Sequence, residues 1–340
     1  MLNSNSIQIC DANIHSGEKA TLALPLPEQY SCSPMYMPIK VINGKHQGPC
    51  LVALSMLHGD EFIGLDIINQ LFDEIDPNEL FGSLILIPVL NVYGLTHYPK
   101  TSPTGASLAD SFPGNEKGTY GERIAHIFTQ QILTKADFCI EVQTGGLNHE
   151  SFPHVYCNFD EKQSVKMARA FEAPVILEVE TSSNKFRQTT ESLNIPLLVY
   201  KAGEAMRLDQ IAISLGLTGI QNVMKKMSLL ESDIENVTTP MISKDDDWLL
   251  APSSGILHTE VSLGQQIKKG EKIGRLSDPF SNENSTAITS NLDGIVVGIN
   301  RAPLIQEGLS IFKIASFIDN KQAEAELEEW GEQNISPDTL

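Results

Sequence analysis

The chain reads as an α/β three-layer sandwich followed by a smaller all-β module, on three observations. Over roughly the first 225 residues, short apolar strand-like runs alternate with amphipathic helical segments. From Ser228 to Asp247 the composition turns polar and acidic. Beyond that, a glycine-punctuated near-repeat of short alternating strands takes over. With 340 residues and 41% hydrophobic content, the chain can bury more than one core.

The elements follow in order. Interior strands are expected at Cys50 to Met56, Ser83 to Leu90, Ala136 to Val142, Pro174 to Val179 and Pro196 to Tyr200. Each is short, β-rich and bounded by Gly, Pro or polar residues. Helices are expected at Phe62 to Ile75, Gly118 to Thr134, Glu161 to Phe171 and Ala205 to Met227, where apolar residues recur at three- and four-residue spacing. Open α/β sheets bind ligands at the carboxyl ends of their strands, and His58 and Lys201 both fall where such strands end. The near-repeat runs from Ala251-Pro252-Ser253-Ser254-Gly255-Ile256 to Gly274, then from Asn291-Leu292-Asp293-Gly294-Ile295-Val296 to Gly308. These divisions give an α/β domain over 1–228, a linker over 229–246, a β module over 247–316 and an acidic tail over 317–340.

Global numbers exclude some classes. A formal net charge of -19 opposes nucleic acid or anionic membrane as a partner. The five cysteines are odd in number and form no C-x-x-C, so they read as reduced thiols. Met1 to Cys10 lack a basic start and an apolar core, and runs such as Leu84 to Leu90 are too short to span a bilayer. The expected location is cytoplasmic. No phosphate-cradling glycine loop and no Gly-x-Ser-x-Gly elbow is present.

The chemistry concentrates in His58-Gly59-Asp60-Glu61, at the passage from an apolar strand into an amphipathic helix. An H-x-x-E there can point one imidazole and one carboxylate at a single point, which suits zinc. On its own the motif is weak. It gains weight from an ordered frame: Gly48-Pro49, Ile87-Pro88-Val89-Leu90-Asn91, Phe112-Pro113-Gly114, Gly121-Glu122-Arg123-Ile124-Ala125 and Ala202-Gly203-Glu204-Ala205-Met206-Arg207. From about residue 20 to about residue 316 the chain resembles the succinylglutamate desuccinylase/aspartoacylase family of zinc-carboxypeptidase-like hydrolases. The resemblance implies the zinc-carboxypeptidase type of three-layer sandwich, and a C-terminal barrel-sandwich (lipoyl-like) domain. Ser277 to Ser285, where carrier modules present a lysine, contains none, so no lipoyl or biotin is expected.

The family's pattern has a third ligand His in an Asp-Leu-His-Thr-Gly stretch, which falls here on Glu141-Val142-Gln143-Thr144-Gly145. Its Asn and Arg for substrate carboxylate and oxyanion fall on Ala109 and Asp110. Its general-base Glu falls on Lys201. The resemblance therefore implies metal positions at His58, Glu61 and Gln143, the last a weaker neutral ligand, so that zinc is held weakly or not at all. Lys201 is protonated at neutral pH unless strongly desolvated. Losing the base costs on the order of 10²- to 10⁴-fold in rate, and losing an oxyanion donor on the order of 10²- to 10³-fold.

The exchanged signs at Asp110 and Lys201 suggest an ion pair across the cleft; the alternative is two solvated side chains. Lys100 falls near a family substrate-binding Arg and is a candidate pocket residue with Ala109, Asp110 and Asn91, although Asn91 also reads as a strand end. Asp60 is a candidate support for the His58 ring. His149 and His154 are either substitute ligands or, as the better reading, loop residues at the cleft. Arg123 and Arg207 read as helix-surface ion-pair partners. Three functions stay open: a degenerate relative that binds an N-acyl amino acid or acts in regulation, a working zinc amidohydrolase with a non-standard site, and a rearranged site using Lys201 as nucleophile or base. Homo-oligomerisation, with the β module as one route, also stays open.

Overall fold

The computed structural model describes residues 6–28, 34–97, 105–179, 184–231, 241–243, 245–281 and 285–317, with Leu327, Trp330 and Gly331 beyond them. A hairpin of β1 (Ile7–Ile9) and β2 (Ala12–Ile14) precedes β3 (Glu18–Pro25), β4 (Tyr36–Asn43) and β5 (His46–Ser55). Next come α1 (Phe62–Glu74), β6 (Phe81–Ile87), α2 (Val92–His97), α3 (Tyr120–Gln131), β7 (Phe138–Gln143) and β8 (His149–Cys157). They are followed by α4 (Lys162–Phe171), β9 (Val175–Glu178), α5 (Lys185–Ser192), β10 (Leu197–Gly203) and α6 (Gln210–Lys226). The C-terminal part holds β11 (Met241–Ile242), β12 (Asp245–Leu250), β13 (Gly255–Thr259), β14 (Gln266–Ile267) and β15 (Lys272–Ser277). It continues with β16 (Ser285–Thr289), β17 (Gly294–Asn300), β18 (Leu304–Ile305) and β19 (Ser310–Ser316).

One large sheet organises the molecule, in the order β12-β19-β17-β8-β10-β7-β5-β6-β4-β3. At its centre β5, β7 and β10 run parallel, and β7 is flanked in register so that Leu54 and Val199 both stand opposite Glu141. One face packs an apolar layer against α1, α4 and α6, including Ile67, Leu71, Ile140, Leu198, Tyr200 and Phe171. The other packs against α3 and α5, with Val52, Leu54, Phe128, Cys139, Phe186 and Val199. These two covered faces make the expected three layers. All five expected interior strands and all four expected helices are present, their ends shifted by a few residues.

Three departures have physical causes. The last helix starts at Gln210 rather than Ala205, because Met206 takes a left-handed φ of 63° and Asp209 caps the helix by accepting from the amides of Ile211 and Ala212. β8 occupies a stretch expected as loop: its proline and two histidines interrupt any apolar run, yet its backbone pairs with β10 and β17. The two parts of the chain also share one sheet, since Gly298, Ile299 and Asn300 of β17 pair with Ser151, Glu150 and His149 of β8.

Beyond that seam the C-terminal β-rich part adds a four-stranded sheet in the order β16-β15-β13-β18, and both pack around Ile273, Leu276, Ile288, Val296 and Phe312. Lys313 of β19 also crosses the seam, with Nζ 2.7 Å from the Tyr156 hydroxyl of β8 and in an ion pair with Asp246 of β12. The four described cysteines, Cys10, Cys50, Cys139 and Cys157, are unbonded, as expected for reduced thiols, and Cys32 lies outside the described residues. No helix among the described residues is long and apolar enough to cross a membrane.

Replacing Lys313 by Met strands the Asp246 carboxylate at the seam and is expected to cost about 1–3 kcal/mol of stability. Urea unfolding of Lys313→Met against the parent chain measures it.

Candidate active-site cleft

The ends of β5, β7 and β10 converge at the site. After Ser55, Met56 (φ 54°) and Gly59 (φ 86°) turn the chain through left-handed conformations into α1. Glycine is needed at 59, where a Cβ would stand 2.5 Å from the Gly94 backbone of α2. Asn91 braces the same turn: its Nδ2 donates to the Leu57 carbonyl at 3.4 Å, and its Oδ1 accepts from the Gly94 amide at 2.8 Å. Asn91 is thus a strand-end brace rather than a free pocket donor. The Met206 amide donates to the Asp60 carbonyl at 3.0 Å, and Gly145 and Gly203 exchange their loops through a 3.0 Å bond, so all three strand ends are laced by backbone.

Glu61 stands at the N-cap of α1 but caps nothing with its side chain. Its carboxylate turns instead to His58, with Oε1 3.0 Å from Nδ1 and Oε2 accepting from the His58 amide at 3.3 Å. The Glu61 charge raises the His58 imidazole to about 9, against the opposing effect of burial. His58 and Glu61 are therefore brought together as the H-x-x-E spacing implies, in the form of a protonated imidazole on a carboxylate.

On β7 the fully buried Glu141 accepts at Oε1 from the Gln143 side-chain amide at 2.6 Å, while its Oε2 has no hydrogen-bond partner. Burial pushes the Glu141 carboxyl upward, and the Arg187 guanidinium of α5 works against that shift. Arg187 escaped the sequence reading. It sits in a short polar helix with no motif around it, and the only signal available was an arginine placed shortly before β10. Lys201 stands opposite Gln143 on one side and His154 on the other, so these three side chains form one row across β7, β10 and β8.

Several expectations need correction. Asp110 is exposed on a 3₁₀ turn (Ala109–Ser111), and among the described residues no ion pair joins it to Lys201. The turn carries it outward because its neighbours Leu108, Ala109 and Phe112 bury themselves beside Phe128 and Phe186. For the same reason Ala109 is a core residue, not a pocket wall. Lys100 lies outside the described residues. His149 and His154 lie on β8 rather than in a loop: His149 turns to Leu147, Asn300 and Trp248 at the seam, and His154 is 1% exposed in the central row. Arg207 pairs with Glu204 at 2.9 Å as expected, whereas Arg123 has no ion pair among the described residues.

A hydrolytic zinc site takes three protein ligands and leaves one position for water. His58 and Glu61 supply two. Gln143 donates its amide nitrogen to Glu141 and offers only a neutral carbonyl oxygen, a weak zinc ligand, and among the described residues no group of three or more His, Cys, Asp or Glu is arranged to hold a metal ion. The donor set does not fit the tetrahedral site that such chemistry requires.

A family model for the succinylglutamate desuccinylase/aspartoacylase catalytic domain matches residues 47–227. The chain belongs to the succinylglutamate desuccinylase/aspartoacylase family. A relative named N-alpha-acetyl-L-2,4-diaminobutyric acid deacetylase, from Halomonas elongata, is 24% identical over 313 residues, covering 88% of this chain and 91% of its own. Among solved structures, a succinylglutamate desuccinylase/aspartoacylase from Rhodobacter sphaeroides is similar with a TM-score of 0.79 at 23% identity, covering 88% of this chain and 96% of that one. The product-bound ectoine utilization protein EutE (DoeB) from Ruegeria pomeroyi gives a TM-score of 0.79 at 22% identity, covering 88% and 95%. At these identities the structural likeness establishes the fold.

Two outcomes test the cleft. His58 holds its proton more tightly folded than unfolded, so the His58–Glu61 pair stabilises fully below about pH 6.5 and fades as pH rises through about 9. The stability difference between the parent and Glu61→Gln is therefore largest near about pH 6 and shrinks by about pH 9.5, as read by urea unfolding across that range. Gly59→Ala, forced against Gly94 at positive φ, is expected to lose about 2 kcal/mol or more, read from thermal unfolding.

Proposed function

We propose that this chain is a ligand-binding member of an N-acyl-amino-acid deacylase family, one that holds an N-acyl amino acid or related anion in the cleft without efficient hydrolysis. The single observation that carries the reading is the Gln143–Glu141 hydrogen bond at the third metal position. Where the family pattern places an imidazole, this chain has an amide whose nitrogen donates to a buried carboxylate and whose neutral carbonyl oxygen is the weaker ligand. The proton-accepting position is held by Lys201, an ammonium that cannot take a proton from water in its charged form. No step through zinc is assigned to these residues.

Lys201 brings a cation to the row with Gln143, which suits a carboxylate ligand, while the His58 imidazolium is paired with Glu61 and the Arg187 charge acts on Glu141. A second reading, a working metal-dependent deacylase, draws on the deacetylase named among the relatives. A cytoplasmic setting, a barrel-sandwich form for the C-terminal part and the boundaries drawn from the sequence belong to the same proposal.

The discriminating experiment combines metal analysis with calorimetry on protein purified without chelators. The binding reading expects zinc well below one per chain, unaffected by His58→Ala, and binding of N-acetyl-L-aspartate, N-succinyl-L-glutamate or N-α-acetyl-L-2,4-diaminobutyrate without release of the free acid. Stoichiometric zinc lost in His58→Ala, with turnover, establishes the second reading instead. Restoring Gln143→His and Lys201→Glu together is expected to raise zinc content and hydrolysis.

A further inference from the structure

We propose that the cavity between α6 and the turn from α4 into β9 is a second binding site, for a small primary alkylammonium ion held against the Glu172 carboxylate. The site is separate from the cleft. Tyr200 turns into the layer under α6, on this side of the sheet, and alternation sends its neighbour Lys201 to the other side.

The cavity measures about 260 Å³ and has an aromatic wall made by Phe171, Tyr200 and Trp330. Two glycines of α6 admit the first two rings. A Cβ at Gly219 would stand 2.3 Å from the Phe171 ring, and one at Gly216 would stand 2.7 Å from the Tyr200 ring, so the helix meets them with bare backbone. The two rings lie with centroids 4.8 Å apart. The Tyr200 hydroxyl donates to the Ala212 carbonyl at 2.8 Å, and the Trp330 indole N–H donates to the Glu172 carbonyl at 3.2 Å. The second bond fastens the indole to the residue that carries the charge.

Glu172 is the one formal charge on the lining among the described residues. Burial raises its carboxyl, and the Lys225 charge works against that shift from a greater distance. No ion pair joins Glu172 to Lys225 or to another basic group among the described residues. Its Oε2 accepts from Asn222 Nδ2 at 3.3 Å, an arrangement that leaves Asn222 Oδ1 to accept from elsewhere. Thr218 and Ser214 follow Asn222 back along α6 at four-residue steps, and both line the cavity.

These features select a ligand class. A carboxylate partly withdrawn from water without a cation on it favours a positive guest, and an aromatic wall attracts the same charge. An anion would meet the Glu172 charge and a chain of net charge -19. A primary ammonium brings three N–H donors, which suit the Glu172 carboxylate, Asn222 Oδ1 and the Thr218 hydroxyl, while its alkyl stem suits the rings.

The test is isothermal titration of the full chain with n-butylammonium, N,N,N-trimethylbutylammonium and butan-1-ol, in about 0.15 M salt to screen loose association with surface charge. n-Butylammonium is expected to bind at least about tenfold more tightly than either of the others. Glu172→Gln, which keeps an acceptor for Asn222, is expected to weaken it at least about tenfold. Fluorescence gives the location. The chain has two tryptophans, so Trp248→Phe leaves Trp330 as the emitter, and n-butylammonium is expected to shift its emission with the midpoint seen in titration. In the parent chain alone, no saturable binding of n-butylammonium, or an affinity matched by butan-1-ol or the trimethyl ion, overturns the proposal. Unchanged affinity in folded Glu172→Gln does the same, as does unresponsive Trp330 emission in folded Trp248→Phe. None of these outcomes bears on ligand binding in the cleft.

Discussion

The parallel register of β5, β7 and β10 is the constraint on which the rest depends. It sets Glu141 between Leu54 and Val199 and brings Lys201 beside Gln143, so the chemistry of the cleft is decided by which residues occupy successive rungs. Alternation does the rest. Ile140, Val142, Leu198 and Tyr200 go into the layer under α1 and α6, while Glu141, Gln143 and Lys201 are forced onto the opposite face. A one-residue slip of β10 would bury Lys201 among leucines and aim Tyr200 into the cleft, exchanging every role at once.

Much of this was legible in the sequence. The apolar runs of the parallel strands and the periodicity of the four main helices are signals that local physics imposes, and H-x-x-E gave the His58–Glu61 contact because three residues span a single turn out of the strand. What sequence could not convey is direction. Asp110 and Lys201 carry complementary charge, but the burial of Leu108, Ala109 and Phe112 rotates Asp110 into solvent. Arg187 and His154 reach the cleft only through long-range pairing, and neither sits in a motif. β8 was missed because Pro153 and two histidines disguise a strand whose stability is supplied by its neighbours on both sides.

The site is also notable for how its charges are compensated. Glu61 neglects the helix terminus it occupies and spends both oxygens on His58, and Glu141 spends one oxygen on Gln143. In this chain an imidazolium and an amide stand against those carboxylates, His58 against Glu61 and Gln143 against Glu141.

The shared sheet has a mechanical consequence. Because three rungs join β17 to β8, the C-terminal part is held by directional backbone bonds as well as by the apolar cluster of Phe152, Val175, Ile295, Val297 and Phe317. Hinge motion between the halves would have to tear those rungs. The strand that carries His154 is thereby paired on both sides, by β10 on one and by β17 and β9 on the other, so the β-rich half is tied by backbone to the central row.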